Sequence, residues 1–456
     1  MQTRVRTATL RAEAEPAKFG ALEYGFWAFL IIAVGRLAEL IPGMTAVPIV
    51  KITLGITLII LVKEWKHLPK LALPAKPLAR TAIWLAVLAV VLTPMSYWRG
   101  ASIAFLYQEL PILIATTVIA YKVSKSWSAV RGTLLVLVLS GFVLTRAALA
   151  GYTGGRAAAA TMYDTNDLAY LLVTVFPLAL GFAITATATL WRLIYAGITL
   201  AFLIAMLLTS SRGGFVGLAV IAMLLVFLPV KAPRSEEPSP RKRPATQKSG
   251  RKLGGLLMSL LLVGVAAAVI WPQLPPDTRE RFATLLDLGN DYNLDATNEK
   301  SRGRIWTRGA QATVKRPFGH GPRSFAMVDL RYGGKMMAPH NSLLQAAVEL
   351  GVIGLILFLK MYLASWRGLG RIRQSLLAKP GPLTKEQQDQ VVFARMIQLC
   401  LVGNIIAGFF LTMAYATVLW TLFGACMAFI ALCGPPGDER QANQRTRGAA
   451  VKPSNI

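Results

Sequence analysis

Apolar runs alternate with short polar segments along most of the chain, and many of the runs approach the roughly twenty residues that cross a bilayer as helix. Twelve are expected, at about residues 22–41, 44–62, 79–95, 101–121, 129–148, 167–188, 190–209, 213–230, 253–271, 342–364, 393–411 and 414–433. Arg36, Glu39 and Lys51 interrupt the first two. The period-two alternation of a transmembrane barrel is absent. The pattern predicts an all-α polytopic membrane protein of about twelve transmembrane helices. A segment at 1–21 precedes the membrane domain, 22–433, and a basic tail follows at 434–456.

Composition supports this. The 456 residues are 54% hydrophobic and 16% charged, against roughly 25% charged in soluble domains. The net charge of +27 raises nucleic acid as a partner, but its distribution argues against one. The basic residues cluster between apolar runs: Arg4, Arg6, Arg11 and Lys18; Lys63, Lys66, Lys70, Lys76 and Arg80; Lys122, Lys125 and Arg131; the loop 231–252; Arg367, Arg371, Arg373, Lys379 and Lys385; and the tail. These segments alternate as one side of a membrane requires, so both termini are expected in the cytoplasm. The stretch 231–252, rich in Pro, Ser and Lys/Arg, is expected to be an unstructured cytoplasmic loop. The head lacks an apolar core followed by a small-residue cleavage site, so no removable leader is expected. Cys400, Cys426 and Cys433 lie in or beside apolar runs without metal-ligand spacing, which suggests packing.

Four features then face outward: the short loop 94–100, the loop 151–167, the turn Thr209-Ser210-Ser211-Arg212-Gly213-Gly214, and a loop at 273–340. The last has 68 residues, with eleven Lys/Arg and seven Asp/Glu, and is too long for an idle connector. Within it Ser301 to Arg316 reads as a helix capped by Ser301 and stopped by Pro317, with Arg302 and Trp306 on one face. Arg304 and Arg308 are expected on another, solvated face. Asn341 or Ser342 should cap the helix that follows. Asp291-Tyr292-Asn293-Leu294-Asp295 begins like a calcium loop but has Ala296 and Arg302 where Gly and Glu are needed.

Three outward residues carry chemistry. His340, at the mouth of a span and beside a helix start, can act as a general base near neutral pH. Arg212 precedes two glycines that would let backbone N–H groups approach an anion, and its planar fork suits phosphate oxygens. On spacing alone it reads equally as an arginine reaching for the interface. Arg302, taken alone, reads as part of a basic helix. His320 competes with His340 but lies in a turn further from any span. Glu349 is an intramembrane acid, expected to pair with a base such as Arg36 or to bind substrate. Arg156, Asn166, Asp167, Trp306, Asn341 and Glu349 are the candidate substrate-binding residues. No Gly-Lys-Ser/Thr phosphate loop is present, and nucleoside triphosphates are not supplied outside the cell. Transfer there needs a pre-activated donor such as a lipid-linked diphosphate sugar, whose leaving group is already a stable anion.

Thr209-Ser210-Ser211-Arg212-Gly213, Arg302 and Trp306 with Pro317-Phe318-Gly319-His320-Gly321-Pro322, and Pro339-His340-Asn341-Ser342-Leu343-Leu344-Gln345 with Glu349 and Gly351 resemble the O-antigen ligase and polymerase superfamily. Asp164-Thr165-Asn166-Asp167-Leu168-Ala169 resembles a further segment of it. The resemblance spans roughly residues 150–430. It implies a bacterial inner-membrane glycosyltransferase with a periplasmic active site. Such an enzyme moves a glycan from undecaprenyl diphosphate to a sugar hydroxyl of lipid A-core, without metal or other cofactor. It implies His340 as the family histidine and Arg212 and Arg302 as the family arginines; His320 departs from the pattern. A polymerase of the repeat unit and a protein O-oligosaccharyltransferase need the same parts. The expected partners are the lipid-linked donor, a lipid A-core, glycan or protein acceptor, and the bilayer. An anion transporter of twelve spans is the reading from another class. It would carry paired Gly/Pro-broken helices, which are not evident, and has no need of a large outer loop.

Overall fold

The computed structural model describes residues 19–159, 164–228, 230, 272, 276, 279–280 and 297–434. The expected span at 253–271, the loop 231–252, residues 1–18, the tail from 435, the failed calcium loop and most of 273–296 lie outside them. Among the described residues the protein is all-α and has no strands. Seven helices or helix pairs are long and apolar enough to cross a membrane, and shorter apolar helices accompany them. It is a multi-pass membrane protein.

The helices are α1 (Ala21–Val34), α2 (Leu37–Leu40), α3 (Ile49–Glu64), α4 (Lys76–Leu92), α5 (Arg99–Gln108), α6 (Leu110–Val123), α7 (Trp127–Ala150), α8 (Thr165–Thr185), α9 (Thr189–Leu208) and α10 (Arg212–Phe227). After the large loop's undescribed part come α11 (Arg302–Lys315), α12 (Phe325–Arg331), α13 (Ser342–Leu377), α14 (Lys385–Gly408) and α15 (Thr417–Cys433). Eleven of the twelve expected spans coincide with helices. Three are broken: the first at Gly35 and Arg36, the fourth at Glu109 and the tenth at Gly351. The first two breaks fall at a charged residue. Helix α8 is buried almost throughout, between α7, α9, α10 and α14, while α9 exposes Leu190, Trp191, Leu193 and Leu200. Such an apolar outer face suits lipid.

Hydrogen bonds mark two ends of the bundle. At one, Lys125 meets Glu64, Arg131 meets Asp389, and Lys385 donates to the Thr185 carbonyl. At the other, Arg156 donates to the Thr209 carbonyl and the His340 N–H to the Thr412 hydroxyl. Helix α7 joins them with 24 residues, about 36 Å of helix. The first end holds the described basic segments around Lys63, Lys125, Arg131 and Lys385; the second holds every candidate site residue except Glu349, which lies two turns inside α13.

The large loop packs its own small core: Ile305 and Ala312 of α11, Phe325 and Val328 of α12, and Val348 of α13. Ser301 caps α11, accepting from Arg304 N–H at 3.4 Å. Arg308 is not solvated as expected. It is buried and pairs with Asp329 at 2.6 Å and Glu299 at 2.7 Å. The missed signal is Asp329, twelve residues beyond Pro317 in the next helix, which supplies the buried counter-charge.

Helix α13 breaks at Gly351, with φ +74°. The turn after α11 inserts there. His320 N–H donates to the Val348 carbonyl, Gly321 N–H to the Glu349 carbonyl, and Val352 N–H donates to the Pro317 carbonyl, at 2.8 to 2.9 Å. A break inside a span frees backbone groups that lipid cannot satisfy, and the turn satisfies them. A Cβ on Gly351 would lie 2.4 Å from the Pro317 oxygen, and one on Gly319 2.6 Å from the Gly351 nitrogen. The glycines are therefore contact surfaces between two backbones.

Candidate active site

Loops and the starts of four helices, α8, α10, α11 and α13, converge at the second end. Asp164 caps α8, accepting from the N–H groups of Asn166 and Asp167 at 2.7 and 2.8 Å. That cap orients Asn166 toward Arg156, whose Nη2 donates to its Oδ1 at 3.0 Å while Nε donates to the Thr209 carbonyl at 3.0 Å. The Thr209 carbonyl belongs to the turn before α10. Ser211 caps α10 by accepting from Gly214 N–H at 3.4 Å, and Arg212 is the first residue of the helix.

Arg156, Asn166, Arg212 and Arg302 line one pocket, closed by Ser210, Ser211, Gly213, Phe410 and Leu411. Among the described residues its lining carries no carboxylate. Three guanidinium groups, distant in sequence, therefore share a half-enclosed space beside a helix N-terminus, which favours an anion with several oxygens. The glycines after Arg212 act differently from the expectation. Ser211 takes the Gly214 N–H, and a Cβ at either glycine would strike Phe410 at 2.9 Å or Ala169 at 2.7 Å. They let α10 close on α8 and on the chain after α14.

His340 is half-buried beside this pocket. Its φ of +44° is left-handed, a conformation that costs a non-glycine residue free energy and needs support from its surroundings. The support is visible. Trp306 Nε1 donates to the Pro339 carbonyl at 2.9 Å, His340 N–H donates to Thr412 Oγ1 at 3.0 Å, and Asn341 Oδ1 caps α13 by accepting from Leu343 and Leu344 at 2.9 Å. The Asn341 oxygen is thus committed to the helix, and Trp306 reaches the backbone of the histidine's neighbour. Burial pushes the His340 imidazole below its ordinary pKa; the Arg302 charge lowers it further and the Asp164 charge opposes this. The imidazole is therefore neutral near pH 7 and able to accept a proton.

His320 is fully buried. Its Nδ1 lies 3.0 Å from the Val348 carbonyl and its ring packs edge-on against Tyr97. Burial holds its pKa down as well. It closes the insertion at Gly351 and does not line the arginine pocket. Glu349 does not pair with Arg36, which meets Glu39 at 2.7 Å. Its Oε2 accepts from the Arg323 N–H at 2.9 Å and from the Tyr415 hydroxyl at 2.8 Å. Asp167 faces away from the arginine pocket, into a second cavity with Arg36 and Arg323. Arg323 and Thr412 are the site residues that sequence reasoning missed. Neither stands in a recognisable motif; Thr412 meets the His340 N–H only through the fold, and Arg323 shares a cavity lining with Thr412 and Pro339. Among the described residues no group of three His, Cys, Asp or Glu side chains is placed to hold a metal ion.

Fold and site define a multi-pass membrane protein with a cation-lined pocket and a neutral imidazole at one end. Residues 197–359 match the family model of the O-antigen ligase domain, Wzy_C. That stretch is similar to the O-antigen ligase family, as its motifs led one to expect. The match runs from α9 to the middle of α13 and includes Arg212, Arg302, Trp306, His340, Asn341 and Glu349. Arg156, Asn166 and Asp167 lie before it. No curated protein matches the chain.

Proposed function

We propose that the protein is a glycosyltransferase that moves a glycan from undecaprenyl diphosphate to an acceptor sugar hydroxyl of lipid A-core type. The observation that carries this is the meeting of Arg156, Arg212 and Arg302 in one pocket beside His340. The diphosphate lies among the guanidinium groups. The neutral His340 takes the proton from the acceptor hydroxyl as its oxygen bonds to the anomeric carbon. The bond from that carbon to the phosphate oxygen breaks, and its electron pair leaves with the undecaprenyl diphosphate. The arginines offset the charge that grows on the leaving group. No proton is needed there, because the diphosphate is a stable anion.

The basic end is cytoplasmic by the positive-inside rule, which puts both termini in the cytoplasm and the arginine pocket in the periplasm of a bacterial inner membrane. Deletion of the protein tests the reaction class through the surface polysaccharide. Accumulation of complete lipid-linked chains, unattached to an acceptor, is expected. Capping of the acceptor by single repeat units would instead identify a polymerase, and normal polysaccharide would end the proposal.

A further inference from the structure

Transfer needs room for two substrates, and the arginine pocket accounts for one. On the other side of the segment after α14 lies a cavity of about 330 Å³, within the usual size range of small-molecule sites. Trp98, Glu109, Arg323, Gln345, Glu349 and Thr412 line it, and so does Pro339, the residue before His340. Thr412 Oγ1 accepts the His340 N–H, so the wall of this cavity is the support of the imidazole.

Its chemistry differs from that of the arginine pocket. Arg323 is matched by Glu109, with Nε 2.9 and 3.1 Å from the two carboxylate oxygens. Glu349 is already hydrogen-bonded to Tyr415 and to the Arg323 backbone. A charge-compensated lining does not call for an anion. It offers planar groups with donors and acceptors, and an indole beside them. Gln345 is 1% exposed, and its Oε1 accepts from Ala414 N–H at 3.3 Å. Its amide nitrogen has no acceptor among the described residues. That nitrogen is not fully shut away, since Gln345 also lines the neighbouring cavity with Arg36 and Asp167, and a ligand hydroxyl would accept from it. The Trp98 indole is partly exposed and lines the cavity; an indole is a surface on which the C–H side of a sugar ring packs.

We infer that this cavity is the acceptor subsite: it binds the neutral sugar whose hydroxyl His340 deprotonates, with Trp98 and Gln345 setting its specificity. The inference rests on the proposed transfer reaction and adds where the second substrate sits. His340 then stands between a polyanion on one side and a polyol on the other.

The test uses the full chain in lipid nanodiscs, with undecaprenyl diphosphate as probe of the arginine pocket and purified lipid A-core as acceptor probe. In a Cys433→Ser background, Ala326→Cys puts a reactive thiol on the cavity wall; Cys400 and Cys426 are buried. Lipid A-core is expected to slow labelling of that thiol, and undecaprenyl diphosphate to leave it unchanged. Trp98→Ala is expected to raise KM for lipid A-core about tenfold while undecaprenyl diphosphate affinity stays at the wild-type value. Protection by undecaprenyl diphosphate alone, or by neither probe, would overturn the subsite. So would a Trp98→Ala variant with unchanged acceptor KM. If wild-type protein fails to bind undecaprenyl diphosphate, the transfer reading falls. Protection by lipid A-core still decides the cavity.

Discussion

At the scale of the residue, His340 is held in a left-handed conformation by three neighbours and kept neutral by burial and by Arg302. The sign of the pH dependence follows. Activity requires the unprotonated imidazole, so the acid limb should fall below the ordinary imidazole range of about 6.5. Arg302→Gln removes a positive neighbour, makes protonation easier and should move that limb to higher pH; Asp164→Asn should move it lower. A pH profile of initial transfer rates checks both, and a limb unmoved by either change would detach His340 from the rate. Arg212→Lys keeps the charge but loses the fork that grips two oxygens at once. Its transfer rate should drop, whereas a residue that merely reaches for the interface would tolerate the change.

At the scale of the element, the interlock between the turn after α11 and the break in α13 joins the outer loop to the membrane bundle. Gly351→Ala places a Cβ 2.4 Å from the Pro317 oxygen in a backbone region that L residues avoid. It should cost at least about 1–3 kcal/mol, read as a lower melting temperature of the detergent-solubilised protein. An unchanged melting temperature would mean that the break has no structural role. Here the sequence was only partly legible. Helix positions followed from apolar runs, and the caps at Ser301 and Asn341 from their local patterns. The motif Pro317-Phe318-Gly319-His320-Gly321-Pro322 was visible as a turn, but not its seat, because that depends on carbonyls freed some thirty residues later. For the same reason Arg308 looked solvated until Asp329 was beside it.

At the scale of the whole molecule, the helices alternate between a basic end and a site end. Reporter fusions after Lys18, and within the tail beyond Cys433, should both report the cytoplasm, and a fusion in the loop before Arg302 the periplasm. Termini on opposite sides would invalidate the orientation. Candidate residues from four regions of the chain were legible singly, by residue type and resemblance. Their distribution between two pockets was not: Asn166 and Asp167 are adjacent in sequence, yet the turn of α8 sends one to the arginines and the other to Arg36 and Arg323.

The central claim is that the guanidinium groups hold the lipid-linked donor while the imidazole deprotonates the acceptor. It is tested most directly by comparing His340→Ala and Arg212→Ala in purified full-length protein, measuring undecaprenyl diphosphate binding and single-turnover glycan transfer on the same samples. His340→Ala should keep wild-type binding and lose transfer by about 10²–10⁴-fold, while Arg212→Ala should lose both. Transfer near the wild-type rate in His340→Ala would contradict the account.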